Sequence, residues 1–293
     1  MLKRRGIILA GGSGSRLQPM TGLLSKQVLP VYDKPMIYYP LSVLMLAKIT
    51  DILVITAPNH FKQISNMLIG LGDIGVSFQF IIQEEPRGIA DALLLAQDFL
   101  DGSPCALILG DNIFFGHGFG EMLKDAGNIE DGARVFVYPV NDPERYGVLE
   151  LDDSDEIKSI VEKPKTHVSD LAVTGLYFYD GNASLLASKL KPSSRGELEI
   201  TDLNRLYLEM DKLSFCNLGR GFAWFDAGTP ASLLDASNFV STVERRQGLR
   251  IGVPEEIALD NAWIHSDDLR RLPNAQKKND YAQYLARLIE KVL

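Results

Sequence analysis

The sequence predicts an α/β protein on one sheet, parallel in its first half and mixed in its second, with a helical C-terminal segment. Three observations carry this. Short apolar, β-branched runs alternate with longer amphipathic ones as far as Leu109; strands then follow one another through turns after Ala133; and the pattern turns mostly helical from Thr229. Strand–helix alternation implies parallel strands covered by helices on both faces.

In chain order, Gly6–Ala10, Asp51–Thr56, Phe78–Ile82 and Cys105–Leu109 are short apolar runs and read as buried strands. Met36–Lys48, His60–Leu71 and Ile89–Leu100 are the longer runs between them and read as helices. Ala133–Pro139, Gly147–Leu151, Ile157–Glu162 and Val173–Tyr179 read as strands of a mixed or antiparallel half, with acidic Asp152–Asp155 as a hairpin tip. Pro230–Arg246 and Asp280–Val292 read as the main C-terminal helices. The expected division is a core over 1–229, with halves 1–132 and 133–229 sharing one sheet, and a helical segment over 230–293. In open parallel sheets ligands bind beyond the carboxyl ends of the strands. The loops after Ala10 and Leu109 are therefore the places to look.

Composition narrows the function. With 293 residues, 46% hydrophobic and 23% charged, the chain can bury a sizeable core. A net charge of −8 argues against a nucleic-acid duplex, which needs a broad basic face. It leaves room for a small anion held by a few local cations. Two cysteines, Cys105 and Cys216, both among apolar residues, give neither a disulfide framework nor a zinc site. The His residues 60, 117, 167 and 265 lack metal-ligand spacing and receive no role. The N-terminal apolar run is short for a signal peptide, and none approaches the roughly 20 residues of a membrane helix. A soluble, cytoplasmic protein is expected.

The loop after the first strand reads Leu9-Ala-Gly-Gly-Ser-Gly-Ser-Arg-Leu17. Glycines there let backbone N–H groups approach a phosphate. It is not a Walker A loop, because no Gly-Lys-Ser/Thr follows at the required offset. It fits the dinucleotide fingerprint poorly: Leu17 stands at the third glycine position, and Asp33 lies in a polar turn. Arg16 and Lys26 remain as cations beside a glycine loop, an arrangement suited to a polyphosphate leaving group. Asp111, in Leu109-Gly-Asp-Asn112, and Asp226, in Trp224-Phe-Asp-Ala-Gly-Thr229, could together hold a hard divalent cation if their loops meet. Read alone, Asp111 is also compatible with a polar turn and Asp226 with a helix cap.

With Lys26-Gln-Val-Leu-Pro-Val-Tyr-Asp-Lys-Pro-Met36 added, the glycine loop resembles the signature of the sugar-nucleotide pyrophosphorylases, most closely the glucose-1-phosphate thymidylyltransferase family. Ser15 replaces the family's Thr and keeps the hydroxyl. The resemblance runs from Gly6 to the last helix. Asp142-Pro-Glu-Arg-Tyr-Gly-Val148, Val161-Glu-Lys-Pro164, Ala172–Asp180 and Arg195-Gly-Glu-Leu-Glu-Ile-Thr201 extend it. Hexapeptide repeats of a β-helix domain are missing, which argues against the bifunctional N-acetylglucosamine enzymes.

The resemblance implies a Rossmann-like three-layer fold of the nucleotide-diphospho-sugar transferase type. It implies Mg²⁺-dependent transfer of a thymidylyl group from dTTP to glucose 1-phosphate, the first step toward dTDP-rhamnose and related deoxysugars. Leu9, Gly11, Gly12, Ser13, Gly14, Ser15, Gln27, Gln83, Gly88 and Asp111 would bind nucleotide. Asn112, Tyr146, Gly147, Glu162, Lys163, Val173 and Arg195 would bind sugar phosphate. Arg16, Lys26 and Lys163 would serve catalysis, and Asp111 and Asp226 the metal. Gln83-Glu-Glu-Pro-Arg-Gly-Ile-Ala-Asp91 departs from the family's Gln-Pro-Ser-Pro-Asp-Gly-Leu-Ala-Gln, keeping Gln83 and Gly88 as base readers while altering the charge around them.

The family also forms homotetramers, many inhibited by a deoxythymidine diphosphate sugar bound between subunits. Arg220 and Glu256 fall in segments that match that regulatory region. Leu259 and Asp260 stand where the family carries Tyr and Arg, so weak feedback inhibition is expected. Three other readings remain: the same chemistry with UTP or another sugar 1-phosphate, a non-catalytic nucleotide-sugar-binding regulator, and a nicotinamide-dependent oxidoreductase. The regulator would be expected to lack Arg16, Lys26 or an aspartate ligand, and the missing third glycine counts against the oxidoreductase.

Overall fold

The computed structural model describes residues 3–292. β1 (Arg5–Ala10) leads through the glycine loop to a small hairpin of β2 (Pro30–Val31) and β3 (Lys34–Pro35), then to α1 (Tyr38–Leu46). β4 (Asp51–Thr56), α2 (Phe61–Ile69), β5 (Ser77–Ile82), the short helices α3 (Asp91–Leu95) and α4 (Gln97–Leu100), and β6 (Cys105–Leu109) follow. β6, β1, β4 and β5 are parallel neighbours in that order. Nearly every side chain of β1, β4 and β6 is buried, as a sheet covered on both faces requires.

β7 (Asn112–Gly116) leaves the sheet and α5 (Phe119–Gly127) returns the chain to it. β8 (Ala133–Pro139), β9 (Gly147–Leu151), β10 (Ile157–Glu162) and β11 (Leu171–Tyr179) form the second half. β11 pairs antiparallel with β6, β8 and β9, which joins both halves into one nine-stranded sheet. Asp152 forms the β9–β10 tip, its Oδ1 accepting from the N–H groups of Ser154 and Glu156 at 2.8 and 3.0 Å. α6 (Ala183–Ala187), α7 (Ile200–Glu209), β12 (Leu213–Asn217) and β13 (Phe222–Asp226) complete the chain's central part.

The C-terminal segment contains α8 (Pro230–Gln247), α9 (Pro254–Asp260), α10 (Ser266–Arg271) and α11 (Asp280–Val292). Thr229 and Ser232 form a capping box with Pro230 in the first turn, and Gly248, at φ +71°, ends α8. Ile257, Leu269 and Leu285 belong to the same apolar cluster as Ile8 and Val54 of the sheet. α1 lies between this segment and the sheet, which is why its residues from Tyr38 to Met45 are buried all round.

The class and the four strands of the first half match the expectation, except that β5, expected to be buried, is the edge strand and only partly covered; three helices differ in their bounds. α1 starts at Tyr38 rather than Met36, because Lys34–Pro35 pair with Pro30–Val31; it stops before Lys48, which takes φ +61°. α2 is shorter at both ends. The expected Ile89–Leu100 helix starts at Asp91 and breaks at Ala96; Ala90 N–H is bonded to Leu198 O (3.2 Å), outside any helix. Among the described residues no helix is long and apolar enough to cross a membrane.

A buried ion network ties α8 to the β2–β3 hairpin. Lys34 lies 2.9 Å from Glu244, whose Oε1 also accepts from Ile251 N–H at 2.9 Å. Burial pulls the Lys34 ammonium below its ordinary pKa, and Glu244 opposes that pull. Replacing Glu244 by Ala leaves a buried ammonium with Asp33 as its remaining direct salt-bridge partner. Equilibrium urea unfolding of Glu244→Ala should show a loss of about 3 kcal/mol or more. A loss below about 1 kcal/mol, the scale of a surface pair, would remove this network from the fold's supports.

Candidate active site

The site begins where β1 ends. Gly14 adopts φ +65°, a left-handed conformation costly for residues with a Cβ, and starts the 3₁₀ turn Ser15–Leu17. Its carbonyl accepts from Leu17 N–H (2.9 Å) and Thr21 Oγ1 (2.7 Å). The loop leaves Arg16 exposed at the rim. A second turn, Lys26–Val28, is capped by Ser25 and carries Lys26 across the loop; a Cβ built on Gly12 would stand 3.5 Å from Lys26 Nζ.

Asp111 follows β6 at the carboxyl edge of the sheet and is buried. Lys26 Nζ forms a direct salt bridge with its Oδ2, and Asn112 Nδ2 donates to its Oδ1 at 3.1 Å. Burial pushes this carboxyl up, but the Lys26 charge and hydrogen bonds outweigh burial and hold it below the usual range. Asp226 arrives from a distant part of the chain. β7 and β13 form an antiparallel ribbon that sets Asp226 opposite Asn112, and Ala227 N–H donates to Asp111 O at 2.9 Å. The two loops therefore meet. Asp226 is not a helix cap: Thr229 fills that role, and Asp226 Oδ1 accepts from Gly228 N–H at 3.1 Å.

Burial and the nearby Asp111 push Asp226 above the usual carboxylate range, with Arg16 (3.9 Å) and Arg145 (4.0 Å) pulling the other way. Two shielded carboxylates, one raised by burial and by the charge of the other, form a donor set that suits a hard divalent cation. No cluster of three or more His, Cys, Asp or Glu able to hold a metal occurs among the described residues. Two carboxylates suit an ion that draws its other oxygens from phosphate and water.

Asn112 connects this pair to the rest of the site. Its Oδ1 accepts from Gly175 N–H (3.0 Å) and Trp224 Nε1 (2.7 Å). A Cβ on Gly175 would fall 2.7 Å from that oxygen, and the β8–β11 register shifts between Val173 and Tyr177, the stretch containing this glycine. Trp224 packs on Tyr146 with ring centroids 5.1 Å apart.

The opposite wall is charged. Glu162, at the end of β10, accepts from Thr201 Oγ1 (2.5 Å) and Arg195 Nη2 (3.1 Å), and Lys163 Nζ lies 3.6 Å away. Arg195 Nη2 also contacts both oxygens of Glu199 at 2.8 Å. Lys163 takes φ +42° while its N–H bonds Tyr146 O at 2.9 Å. A non-glycine residue held there stores about 1–3 kcal/mol, a feature common at binding sites.

These walls enclose a cavity of about 680 Å³. Leu9, Gly12, Arg16, Lys26, Gln27, Gln83, Gly88, Asp111 and Asp226 line it on the side of the parallel strands and ribbon. Tyr146, Gly147, Glu162, Lys163, Val173 and Arg195 line it from the mixed half, and Asn112, at the start of β7, lies between the two sides. Gly11 is buried behind Gln83, whereas Ser13 and Ser15 are exposed on the loop. Arg145, Tyr177, Glu199, Thr201 and Trp224 also line the cavity and were not singled out from the sequence. Most of them flank residues that were, in the Asp142–Val148, Arg195–Thr201 and Trp224–Thr229 segments. Glu256 lines a separate cavity of about 400 Å³ with Asp260, and Arg220 is not among that cavity's lining residues.

The family model described as nucleotidyl transferase matches residues 5–243. The chain is 55% identical over 292 residues to a glucose-1-phosphate thymidylyltransferase of Xanthomonas campestris pv. campestris, covering 99% of each chain. It is 53% identical to that of Neisseria meningitidis, covering 98% of this chain and 100% of the relative. Among solved structures, a glucose-1-phosphate thymidylyltransferase from Bacillus anthracis in complex with sucrose superposes with TM-score 0.74 at 42% identity, over 80% of this chain and 94% of that one. A UDP-glucose pyrophosphorylase complexed with UDP-glucose shares the fold, with TM-score 0.73 at 24% identity over 83% of this chain and 100% of that one.

The Asp111–Asp226 pair carries a stability prediction. Removing the Asp226 charge relieves desolvation and like-charge repulsion while Asn keeps the hydrogen bond from Gly228. Without divalent cations, Asp226→Asn should be at least as stable as the parent, by up to about 1 kcal/mol. Thermal unfolding in a chelator checks this; a clear loss of stability would mean that attraction to Arg16 and Arg145 dominates instead.

Proposed function

This chain belongs to the nucleotidyl transferase family, and we propose that it transfers a thymidylyl group from dTTP to glucose 1-phosphate, giving dTDP-glucose and pyrophosphate. The observation that carries this is the single cavity that joins a glycine loop with two cations, a carboxylate pair, and a second cationic wall beside Glu162. The relatives of 53–55% identity bear the name of this reaction over the whole length of the chain.

The reaction is an in-line displacement. A phosphate oxygen of the sugar 1-phosphate attacks the α-phosphorus, a new P–O bond forms, and the bond to pyrophosphate breaks. The nucleophile is already anionic, so no Ser, Cys or His need be activated. Catalysis is then positioning and charge stabilisation. The glycine loop takes the triphosphate, with Arg16 and Lys26 meeting the charge that grows on pyrophosphate. Lys163 and Arg195 orient the attacking phosphate. Glu162 accepts from sugar hydroxyls, with Tyr146, Gly147 and Val173 around the ring. The fixed Glu199 and Glu162 partners keep the Arg195 guanidinium from swinging into solvent.

Asp111 and Asp226 would hold a divalent cation, Mg²⁺ in this reading. When bound, it neutralises charge on the phosphate oxygens around the α-phosphorus. The nucleotide half over 1–132 and the sugar-phosphate half over 133–229 belong to the same reading, as does a cytoplasmic homotetramer on the way to dTDP-rhamnose and related deoxysugars. The test is pyrophosphate release across a grid of triphosphates and sugar 1-phosphates with Mg²⁺. A clear preference for UTP, or for another sugar, would replace the substrates and keep the chemistry.

Lys163→Ala should lower kcat/KM for glucose 1-phosphate by about tenfold to a hundredfold, the worth of a charge-assisted phosphate contact. The KM for dTTP should move little. A shift confined to dTTP would assign Lys163 to the wrong phosphate.

Regulation by dTDP-rhamnose should be weak. Asp260 ends α9 and shares its cavity with Glu256. Burial pushes Asp260 above the usual carboxylate range, with Lys48 opposing. A carboxylate where the family has an arginine repels a diphosphate, at a cost of about tenfold or more in affinity. Initial rates titrated with dTDP-rhamnose at saturating substrates decide this; tight inhibition unrelieved by dTTP would overturn it.

A further inference from the structure

The side-chain amide of Gln83 has a fixed polarity, and its cause lies eight positions along the chain. Gln83 follows β5 and is buried at the cavity wall, its backbone N–H bonded to Thr56 O at 2.8 Å. Its Nε2 donates to Asp91 Oδ2 at 2.8 Å. Asp91 is fully buried in the first turn of α3, and its Oδ1 lies 3.0 Å from the Arg87 guanidinium. Gly88 makes this approach feasible: at φ +101°, a Cβ there would come within 2.3 Å of Leu198 O. The 83–91 loop therefore folds back against Leu198 and brings Asp91 under Gln83.

An amide offers a donor on one side and an acceptor on the other, and turning it over exchanges them. A carboxylate paired with an arginine offers only acceptors. Nε2 must then face Asp91, and Oε1 is left on the other side. That oxygen points at Gly11, where an added Cβ would stand 2.5 Å from it. Among the described residues it accepts no hydrogen bond. With one N–H of Nε2 held by Asp91, the orientation of the Gln83 amide is set: Oε1 stays an acceptor, and the second N–H of Nε2 stays beside it at the cavity wall.

We infer that Asp91 is a positioning residue that locks the Gln83 amide as an acceptor, so that the site selects a base whose ring nitrogen carries a proton toward it. The imide N–H of a pyrimidine-2,4-dione, thymine or uracil, meets that requirement. Cytosine presents a bare ring nitrogen at the same position, and two acceptors then face each other. The inference rests on the proposed reading of the cavity, in which the glycine loop holds the triphosphate and Gln83 lies at the base.

The test is Asp91→Asn, which keeps the shape and lets residue 91 offer either polarity. Affinities of dTTP and dCTP are measured by calorimetry, and their kcat/KM values with glucose 1-phosphate by pyrophosphate release. The parent should prefer dTTP, and the ratio of dTTP to dCTP should fall by about tenfold or more in the variant, the worth of one mismatched buried hydrogen bond. The two nucleotides should move in opposite directions, dCTP gaining and dTTP losing. A structural role alone would weaken both alike, and that result, or an unchanged ratio, overturns the inference. If thermal unfolding shows Asp91→Asn misfolded, Asp91→Ser carries the same comparison. A parent that binds dTTP over dCTP without turning it over would sink the proposed reaction, and the binding ratios would still decide the role of Asp91.

Discussion

Everything at this site depends on a carboxylate buried at the end of a buried strand. Asp111 emerges from β6 where solvent is shut out, so its charge needs local partners. Lys26 and Asn112 supply them. Each partner fixes something else. Lys26 reaches Asp111 from the turn after the glycine loop, so the ion pair sets the distance between two strand-end loops. Asn112 passes the constraint in the other direction, through Gly175 N–H in β11 and the Trp224 indole in β13. One carboxylate thereby registers the parallel half, the mixed half and the β7–β13 ribbon against one another. A truncation at any of these positions would leave a polar group unpaired in the interior, which is costlier than the bond itself is worth.

The ribbon adds an unfavourable element. It buries Asp226 beside Asp111, and burial first and the Asp111 charge second push the Asp226 carboxyl up. Arg16 and Arg145 stand about 4 Å away, near enough to soften the repulsion and too far to cancel it. Like charges held together by a well-packed frame are stable only because the aromatic ribbon and the α8 cap fix the backbone around them. Such a site is poised to gain from a cation and from phosphate groups arriving together. The left-handed Lys163 on the facing wall has the same logic: local strain held by the β9–β10 strands that flank it.

What the sequence made legible follows from where the signal is local. β1, β4 and β6 are compact apolar runs of strand length, as strands covered on both faces should be, and β5 is an apolar run that the fold leaves partly covered at the sheet edge. The start of α8 at Pro230 is written in consecutive residues, although its cap is Thr229 and not Asp226. The meeting of Asp111 and Asp226 is not local. It depends on Ile113–Gly116 pairing with Phe222–Phe225, short aromatic-rich runs separated by α5, the whole mixed half and α7. No periodicity marks that pairing, and only a resemblance in motifs could suggest it. The same holds for Glu199 and Thr201. Their functional position comes from packing α7 against β10, where Thr201 meets Glu162, and nothing in their spacing announces it.

The Gln83–Asp91 segment shows most clearly how a structure changes the meaning of substituted charges. As a sequence, Glu84, Glu85, Arg87 and Asp91 are four changes of charge around a base-reading glutamine. In the fold they separate. Glu84 and Glu85 are exposed, where water screens them, and have little to say about a buried base. Arg87 and Asp91 pair with each other, so their charges largely cancel. What remains of Asp91 is its inability to donate a hydrogen bond. A side-chain amide at that position could satisfy Gln83 in either orientation; a carboxylate permits one. On the proposed reading of the cavity, the charge changes that the sequence presents as altered electrostatics would act through hydrogen-bond direction and narrow the set of bases accepted there.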